Sequence, residues 1–132
     1  MSRENVEIVD RAIAAYGRRD EALDRSLFDP EIEVWESPEL PGEFAGKGYD
    51  NLVRGRETVL DSFEDWSVES EKFFDLGERI LVFTRFRARG KGSGVPVDAP
   101  MANLVTVRGR RVVKWGLFGD RREALEAVGL RE

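Results

Sequence analysis

Apolar residues recur along the chain with two different periods. In the first half, residues such as Val6, Val9 and Ile13 repeat every three or four positions, which predicts an N-terminal helix, a short second helix and, after Asp50, a third. From Trp66 onward the period falls to two, which predicts successive strands separated by glycine-containing turns. The predicted strands are 31–37, 66–74, 79–89, 95–108 and 111–118, and a short helix over 121–128 follows them.

The predicted order of elements is ααβαββββα, which is typical of an α+β fold. We expect a conical roll in which a curved antiparallel sheet wraps around the N-terminal helices and encloses a cavity. Such a cavity is the default place for a ligand. The sequence contains neither an internal repeat nor a linker, so we interpret residues 1–132 as one domain.

Composition restricts the chemistry that this fold can perform. The chain contains neither histidine nor cysteine, which excludes disulfides, thiolate nucleophiles, histidine-based triads and zinc sites of the usual kind. We therefore expect no metal and no cofactor. Apolar runs all fall short of the roughly 18 residues that a membrane span requires, and the N-terminus carries no signal-like segment. We predict a cytoplasmic protein that does not bind membranes.

Charge is distributed unevenly along the chain. Residues 1–78 carry 9 basic and 21 acidic side chains, whereas residues 79–132 carry 12 basic and 5 acidic ones. A basic half can indicate nucleic-acid binding. Here the basic residues alternate along strands and lack neighbouring exposed aromatic residues for stacking, so we predict no nucleic-acid partner.

Glu36 is a candidate general base, because it ends the first strand just before a long loop over residues 38–48. Strand alternation places Trp35 and Ser37 on one face and Glu36 on the other. If Trp35 is buried, Ser37 faces the cavity and Glu36 points outward or toward the rim. The alternative is that Glu36 is an exposed side chain without a catalytic role.

Arg85, Arg87 and Arg89 share one face of a predicted strand. Inside a cavity, guanidinium groups bind a carboxylate, phosphate or enolate. On the outer face they would be solvated, or would pair with acidic residues at a dimer surface. Asp98, in the next strand, is either a second candidate catalytic carboxylate or a cross-strand partner of these arginines. Asn103 either orients a ligand carbonyl or satisfies neighbouring backbone groups.

Several short strings, taken together with their order, resemble a known family. They are Leu27-Phe28-Asp29-Pro30, Val34-Trp35-Glu36-Ser37-Pro38, Ala99-Pro100-Met101-Ala102 and Leu117-Phe118-Gly119-Asp120. The chain is similar to the nuclear-transport-factor-2-like superfamily, and within it to SnoaL-like and ketosteroid-isomerase-like proteins. The resemblance implies a conical cavity and a homodimer formed through the outer sheet face.

The catalytic residues of these relatives are not carried over. The aspartate of ketosteroid isomerases corresponds to Ser37, their tyrosine to Ala12, their second aspartate to Ala102, and the carboxylate of SnoaL-like cyclases to Leu117. A shared fold therefore brings no mechanism with it. The resemblance also implies that Phe83, Arg85 and Arg87 point into the cone.

Our leading hypothesis is a domain that binds a small apolar, anionic or carbonyl-bearing molecule. If the protein is an enzyme, we expect cofactor-free proton transfer with Glu36 or Asp98 as base and an arginine stabilising the developing charge. The alternative is a non-catalytic dimeric interaction module. The predicted pocket consists of Tyr16, Trp35, Ser37, Phe63, Phe83, Arg85, Arg87, Asn103, Trp115 and Leu117.

Overall fold

The computed structural model of the protein describes residues 2–40, 42 and 44–130, and of Ser2 and Glu21 it describes the backbone alone. The predicted order ααβαββββα is confirmed, with one two-residue strand added inside the predicted loop, of which residues 41 and 43 lie outside the described ranges. The elements are α1 (Ser2–Arg18), α2 (Glu21–Leu27), β1 (Phe28–Glu36), β2 (Gly46–Lys47), α3 (Tyr49–Ser62), β3 (Phe63–Leu76), β4 (Arg79–Gly90), β5 (Pro96–Arg108), β6 (Arg111–Phe118) and α4 (Arg121–Ala127).

The six strands form one curved sheet in the order β2-β1-β6-β5-β4-β3. Strands β3 to β6 are antiparallel neighbours, as predicted. One pair departs from the predicted antiparallel arrangement, because β1 runs parallel to β6 and places Val34 opposite Trp115. A parallel pair needs a long connection, and α3 with the three following strands supplies it. The sheet is therefore mixed, and its edges β2 and β3 stay apart.

Strand β1 begins earlier than the sequence predicts. Its pairing with β6 shifts register between Phe28 and Glu33, and Pro30 lies inside that irregular stretch. Proline has no N–H to donate to a sheet and is tolerated at edges and bulges. The bulge explains why the regular alternation only starts after Pro30.

The main core lies between α1 and the concave face of the sheet. Val9 and Ile13 of α1 pack in the same cluster as Val82 and Val105 of the sheet, and each is at most 2% exposed. Burying a side chain of this size contributes about 1.5–3 kcal/mol. This packing fixes α1 across the inside of the cone.

A smaller apolar cluster lies on the opposite face of the sheet. Leu81, Phe83 and Phe118 pack there against Ala124 and Leu125 of α4. Because α1 covers one face of β4 and α4 covers the other, the start of β4 is buried on both sides. Among the described helices, none combines the length and apolar character that a membrane span requires.

A buried ion pair joins the first three helices. Arg56 of α3 donates to the Asp24 carboxylate of α2 over 2.8 Å and to the backbone oxygen of Tyr16 in α1 over 3.1 Å. Burial raises the pKa of Asp24, and the hydrogen bond from Arg56 acts in the opposite direction. The ion pair and the bond to Tyr16 therefore fix the positions of α1, α2 and α3 relative to one another.

Candidate functional site

A cavity of about 240 Å³ lies between the concave face of the sheet, α1, α3 and the segment after β1. Strand alternation builds much of its wall, since four strands each contribute two residues that lie two positions apart. These are Val34 and Glu36 from β1, Thr84 and Phe86 from β4, Met101 and Asn103 from β5, and Trp115 and Leu117 from β6.

Half of the predicted pocket residues lie at this cavity. They are Tyr16, Phe63, Asn103, Trp115 and Leu117. The lining residues that were not predicted from the sequence include Thr84, Phe86, Met101, Leu40 and Phe44. Strand alternation in β4 and β5 predicts three of these residues, Thr84, Phe86 and Met101, once the face of each strand that lines the cavity is known.

Asn103 is the centre of a buried polar network in the cavity wall. Its side-chain oxygen accepts a hydrogen bond from Trp115 Nε1 over 2.7 Å, and its Nδ2 donates to Thr84 Oγ1 over 2.8 Å. An indole N–H can only donate, so this contact fixes which way the Asn103 amide points. The Thr84 oxygen acts as acceptor in this network, which leaves the Thr84 hydroxyl proton for another partner.

The hydroxyl of Tyr16 is buried and has no hydrogen-bond partner among the described residues. The Tyr16 ring lies 5.7 Å from the ring of Trp115 and 4.9 Å from the guanidinium of Arg56. Burial raises the pKa of Tyr16 above its usual range, so the side chain remains a neutral phenol that can donate. A buried hydroxyl without a partner costs about 1–3 kcal/mol, and a ligand acceptor would offset that cost.

Glu36 lies in the cavity wall. The expectation that it points outward or toward the rim assumed a buried Trp35, and Trp35 is 39% exposed instead. Its carboxylate accepts three backbone hydrogen bonds, from the N–H groups of Phe44 (2.8 Å), Ala45 (3.1 Å) and Gly42 (3.3 Å). The carboxylate therefore serves as an anchor for the segment after β1.

Trp35 lies on the outer face of β1, and its predicted place in the pocket was wrong. The side chain is 39% exposed and packs edge-on against Phe118. The reason is Gly116 on the neighbouring strand, since a Cβ there would lie 2.1 Å from Trp35 Cζ2. Because glycine has no side chain, the indole ring of Trp35 fits against Gly116 on the outer face of the sheet.

Ser37 and Phe83 also lie outside the cavity lining, contrary to prediction. The hydroxyl of Ser37 is buried and donates to Glu39 Oε1 over 2.8 Å. Phe83 belongs to the outer cluster under α4. Both predictions followed from assigning the wrong face of β1 and β4 to the cone.

Arg85 and Arg87 lie on the outer face of β4, and the expectation that they enter the cone was wrong. Arg85 bonds to Glu71 over 2.9 Å and to Asp98 over 2.8 Å, and Arg87 bonds to Glu69 over 2.9 Å. Asp98 is thus the cross-strand partner of Arg85, and that contact lowers the pKa of Asp98. These side chains form an ion-paired row on the outer face.

No candidate metal centre is present in the described part of the chain, where no three carboxylates come close enough together to hold an ion. The polar groups of the cavity wall are one carboxylate, one phenol, one hydroxyl, one amide and one indole N–H. Such a set can hydrogen-bond an uncharged ligand and can accept a proton at Glu36.

Comparison with known proteins places this geometry in context. A family model described as a SnoaL-like domain matches residues 9–115. No curated protein matches the chain. Many solved structures share the fold, and three of them serve as examples. An NTF2-like protein of unknown function from Burkholderia pseudomallei has 19% identity and a TM-score of 0.75, with 93% of this chain and 95% of that one covered.

The second is a putative SnoaL-like polyketide cyclase from Jannaschia, with 21% identity, a TM-score of 0.74, and 98% and 94% of the two chains covered. The third is a protein with a ketosteroid-isomerase-like fold from Catenulispora acidiphila, in complex with trimethylamine. It has 19% identity and a TM-score of 0.71, with 95% and 94% covered. At these identities the likeness supports the fold alone.

Proposed function

Because the chain belongs to the SnoaL-like domain family, we propose that its cavity binds a small, neutral, mostly apolar molecule that carries a hydrogen-bond acceptor such as a carbonyl oxygen. The observation that carries this proposal is the buried, unpartnered hydroxyl of Tyr16, a residue of the mostly apolar cavity wall. A ligand acceptor at that hydroxyl would satisfy a donor that the described residues leave unsatisfied.

The size and lining of the cavity limit the ligand. Its volume of about 240 Å³ lies just below the range of about 300–1,000 Å³ typical of ligand pockets. Val34, Leu52, Val59 and Phe86 are among its apolar wall residues. A compact molecule with one polar end suits this space better than a long or highly polar one.

The charges around the cavity favour a neutral ligand over an anion. Glu36 is a carboxylate in the wall, whereas Arg85 and Arg87 are ion-paired on the other face of the sheet. Arg56 lies behind Tyr16 and is engaged by Asp24. An anionic ligand would lose its hydration beside Glu36, and the described lining residues include no cation to compensate it.

Three molecules of similar shape test the proposal. Acetophenone carries a neutral acceptor, α-methylstyrene replaces the carbonyl by a hydrocarbon group, and benzoate carries a charge. We expect acetophenone to raise the melting temperature most and benzoate not to raise it. In Tyr16→Phe, which removes only the hydroxyl, acetophenone should bind about tenfold more weakly, the effect of one lost hydrogen bond, and α-methylstyrene should bind as before. If benzoate stabilises best, or none of the three binds by calorimetry, the proposal is wrong.

A second candidate function is cofactor-free proton transfer. It is favoured because Glu36 supplies a carboxylate to the cavity wall, the only one among the described lining residues. Glu36 would take a proton from the carbon next to a carbonyl group, and Tyr16 would hydrogen-bond the enolate oxygen until the proton returns. The test is hydrogen–deuterium exchange at the methyl group of acetophenone in D₂O, followed by NMR. Exchange that continues unchanged in Glu36→Gln would reject this role.

The homodimer through the outer sheet face stays a prediction. Helix α4 covers one part of that face and the ion-paired row occupies another, so the surface around the exposed Trp35 is what a partner could use. Light scattering after gel filtration, with Trp35→Ala as the variant, measures the oligomeric state directly.

A further inference from the structure

The side chain of Thr84 lies in the cavity wall at the end of a chain of hydrogen bonds. Trp115 Nε1 donates to the side-chain oxygen of Asn103 over 2.7 Å, and Asn103 Nδ2 donates to Thr84 Oγ1 over 2.8 Å. These residues belong to β6, β5 and β4, which are neighbours in the sheet, and all three line the cavity. The hydrogen bonds therefore cross the concave face from one strand to the next.

The chain of hydrogen bonds has a fixed direction. An indole N–H can only donate, so the donors point from Trp115 through Asn103 to Thr84. A threonine hydroxyl carries one proton to donate besides the lone pairs with which it accepts. Because Thr84 Oγ1 already accepts from Asn103, its proton is the next donor in the chain, and no described residue accepts it. Thr84 is 4% exposed, and a buried donor without an acceptor is unfavourable.

The orientation of Thr84 is fixed by its neighbours. Phe83 and Arg85, the adjacent residues of β4, lie on the outer face, so strand alternation directs the Thr84 side chain to the concave face. Arg121 of α4 donates to the backbone oxygens of Thr84 over 2.7 Å and of Met101 over 3.2 Å. Thr84 and Met101 are paired across β4 and β5. One guanidinium group thus holds the backbone of two adjacent lining residues.

We propose that Thr84 is a second hydrogen-bond donor of the cavity, and that it selects ligands with a second acceptor oxygen beside the carbonyl, such as keto ethers and keto esters. The inference rests on the proposed function, since both concern the same ligand. Hydrogen bonds in a chain polarise one another, so the bonds from Trp115 and Asn103 strengthen the Thr84 hydroxyl as a donor. Thr84 acts from the sheet, whereas Tyr16 belongs to α1. A few polar groups placed in this way fix the orientation of a ligand in an apolar pocket.

Two pairs of neutral ligands test the proposal, and the members of each pair differ at one atom. In the first pair, butyrophenone has a CH₂ group where α-methoxyacetophenone has its ether oxygen. In the second pair, para-ethylacetophenone has a CH₂ group where para-methoxyacetophenone has its ether oxygen. The first pair places the second acceptor close to the carbonyl, and the second pair places it across the ring. Calorimetry gives, for each pair, the ratio of the affinity for the ether to the affinity for its hydrocarbon partner.

Three variants show whether this ratio depends on the Thr84 hydroxyl. Thr84→Val removes the hydroxyl at nearly constant shape, and Thr84→Ser keeps a hydroxyl. Thr106→Val is the matched control, because Thr106 is also buried, at 8% exposure, but lies in a groove of the outer face beside Trp35. In at least one pair we expect the ratio to fall about tenfold in Thr84→Val and to stay as in the parent protein in the other two variants. An unchanged ratio in Thr84→Val for both pairs would overturn the proposal, as would an equal fall in Thr106→Val.

Proton NMR of the parent protein tests the chain without a substitution at Thr84. This measurement decides the question even if Thr84→Val does not fold, since that variant also removes the acceptor of Asn103 Nδ2. The indole N–H resonance of Trp115 is identified by its absence in Trp115→Phe. When a ligand accepts from Thr84, polarisation along the chain should move this resonance further downfield with the ether than with its hydrocarbon partner. Equal shifts within both pairs would reject the second donor.

The outcomes separate this inference from the proposed function. If Tyr16→Phe weakens the binding of acetophenone but the ether ratio does not depend on Thr84, the proposed function stands and the second donor is rejected. If the ratio depends on Thr84 while Tyr16→Phe leaves acetophenone binding unchanged, the second donor stands and the contact with Tyr16 is rejected. If none of these ketones binds, both proposals are wrong.

Discussion

Asp24 and Arg56 form an ion pair in the interior, with 2.8 Å between Oδ2 and Nη1 and neither side chain more than 2% exposed. Removing one partner leaves the other charge buried without compensation, which costs about 3–5 kcal/mol. Arg56→Met should therefore lower the free energy of unfolding by an amount in this range, measured by urea denaturation.

Arg108→Met is the matched control for Arg56→Met. Arg108 pairs with Glu78 on the surface, where both side chains are 65% exposed, and such a pair contributes only about 0–1 kcal/mol. Equal losses in the two variants would show that burial of the Asp24–Arg56 pair does not determine its importance.

The contact between Trp115 and Asn103 is a second test of the cavity wall. Asn103→Leu leaves the indole N–H buried without an acceptor and should cost about 1–3 kcal/mol. In the double variant with Trp115→Phe that N–H is absent, so the combined loss should be smaller than the sum of the single losses. Additive losses, measured by urea denaturation, would show that the 2.7 Å contact is not stabilising.

The order of elements could be predicted from the sequence because each turn and each change of period is local. The face of a strand could not be predicted where both of its faces are apolar. Residues 80–83 of β4 are all buried, two against α1 and two on the side of α4, so alternation alone leaves the phase undecided. Taking the phase from a family resemblance placed Phe83, Arg85 and Arg87 in the cone.

In β1 the error had a different physical origin. A large aromatic side chain such as Trp35 is expected to face the core, but its place depends on Gly116, a residue far away in sequence. The role of Glu36 also depends on distant partners, since its three donors lie in a loop with no periodic pattern. Contacts of this kind become visible only in the folded chain.

Gly116→Ala tests the close approach of Trp35. The added Cβ would lie 2.1 Å from Trp35 Cζ2, so the indole must move, and we expect a loss of about 1–3 kcal/mol. In Trp35→Ala the same glycine substitution should cost much less. As a control, Gly17→Ala meets no atom closer than 3.8 Å and lies in α1, where alanine is favoured over glycine by up to about 1 kcal/mol. A thermal shift of equal sign in both glycine variants would contradict this account.

Ionisation of Glu71, on the outer face of the sheet, should make the free energy of unfolding depend on pH. Hydrogen bonds from Arg121 and Arg85 lower the pKa of Glu71. A carboxyl whose pKa is lowered by folding stabilises the protein above its unfolded pKa, and this contribution is lost as the pH falls. When the pH is lowered from about 6 to about 3, the free energy of unfolding should therefore decrease less in Glu71→Gln than in the parent protein.

Glu123 should show the opposite sign. Burial and the neighbouring Glu39 raise the pKa of Glu123, so its contribution is present at low pH and is lost as the pH rises through the folded pKa. Glu123→Gln should make stability rise more steeply with pH over the same range. Urea denaturation at several pH values measures both slopes, and slopes of the same sign relative to the parent protein would reject the assignment.

The parallel pairing of β1 with β6 has a consequence for biosynthesis. Val34 pairs with Trp115, so β1 lacks this neighbour until β6, which is translated after β3, β4 and β5, has left the ribosome. Until then the cavity has no wall on that side, and the apolar residues of α1 and β1 lack their final cover. Contacts of such long sequence separation slow folding and leave apolar surface exposed during it. We therefore expect the nascent chain to remain dependent on holding factors until β6 has been translated.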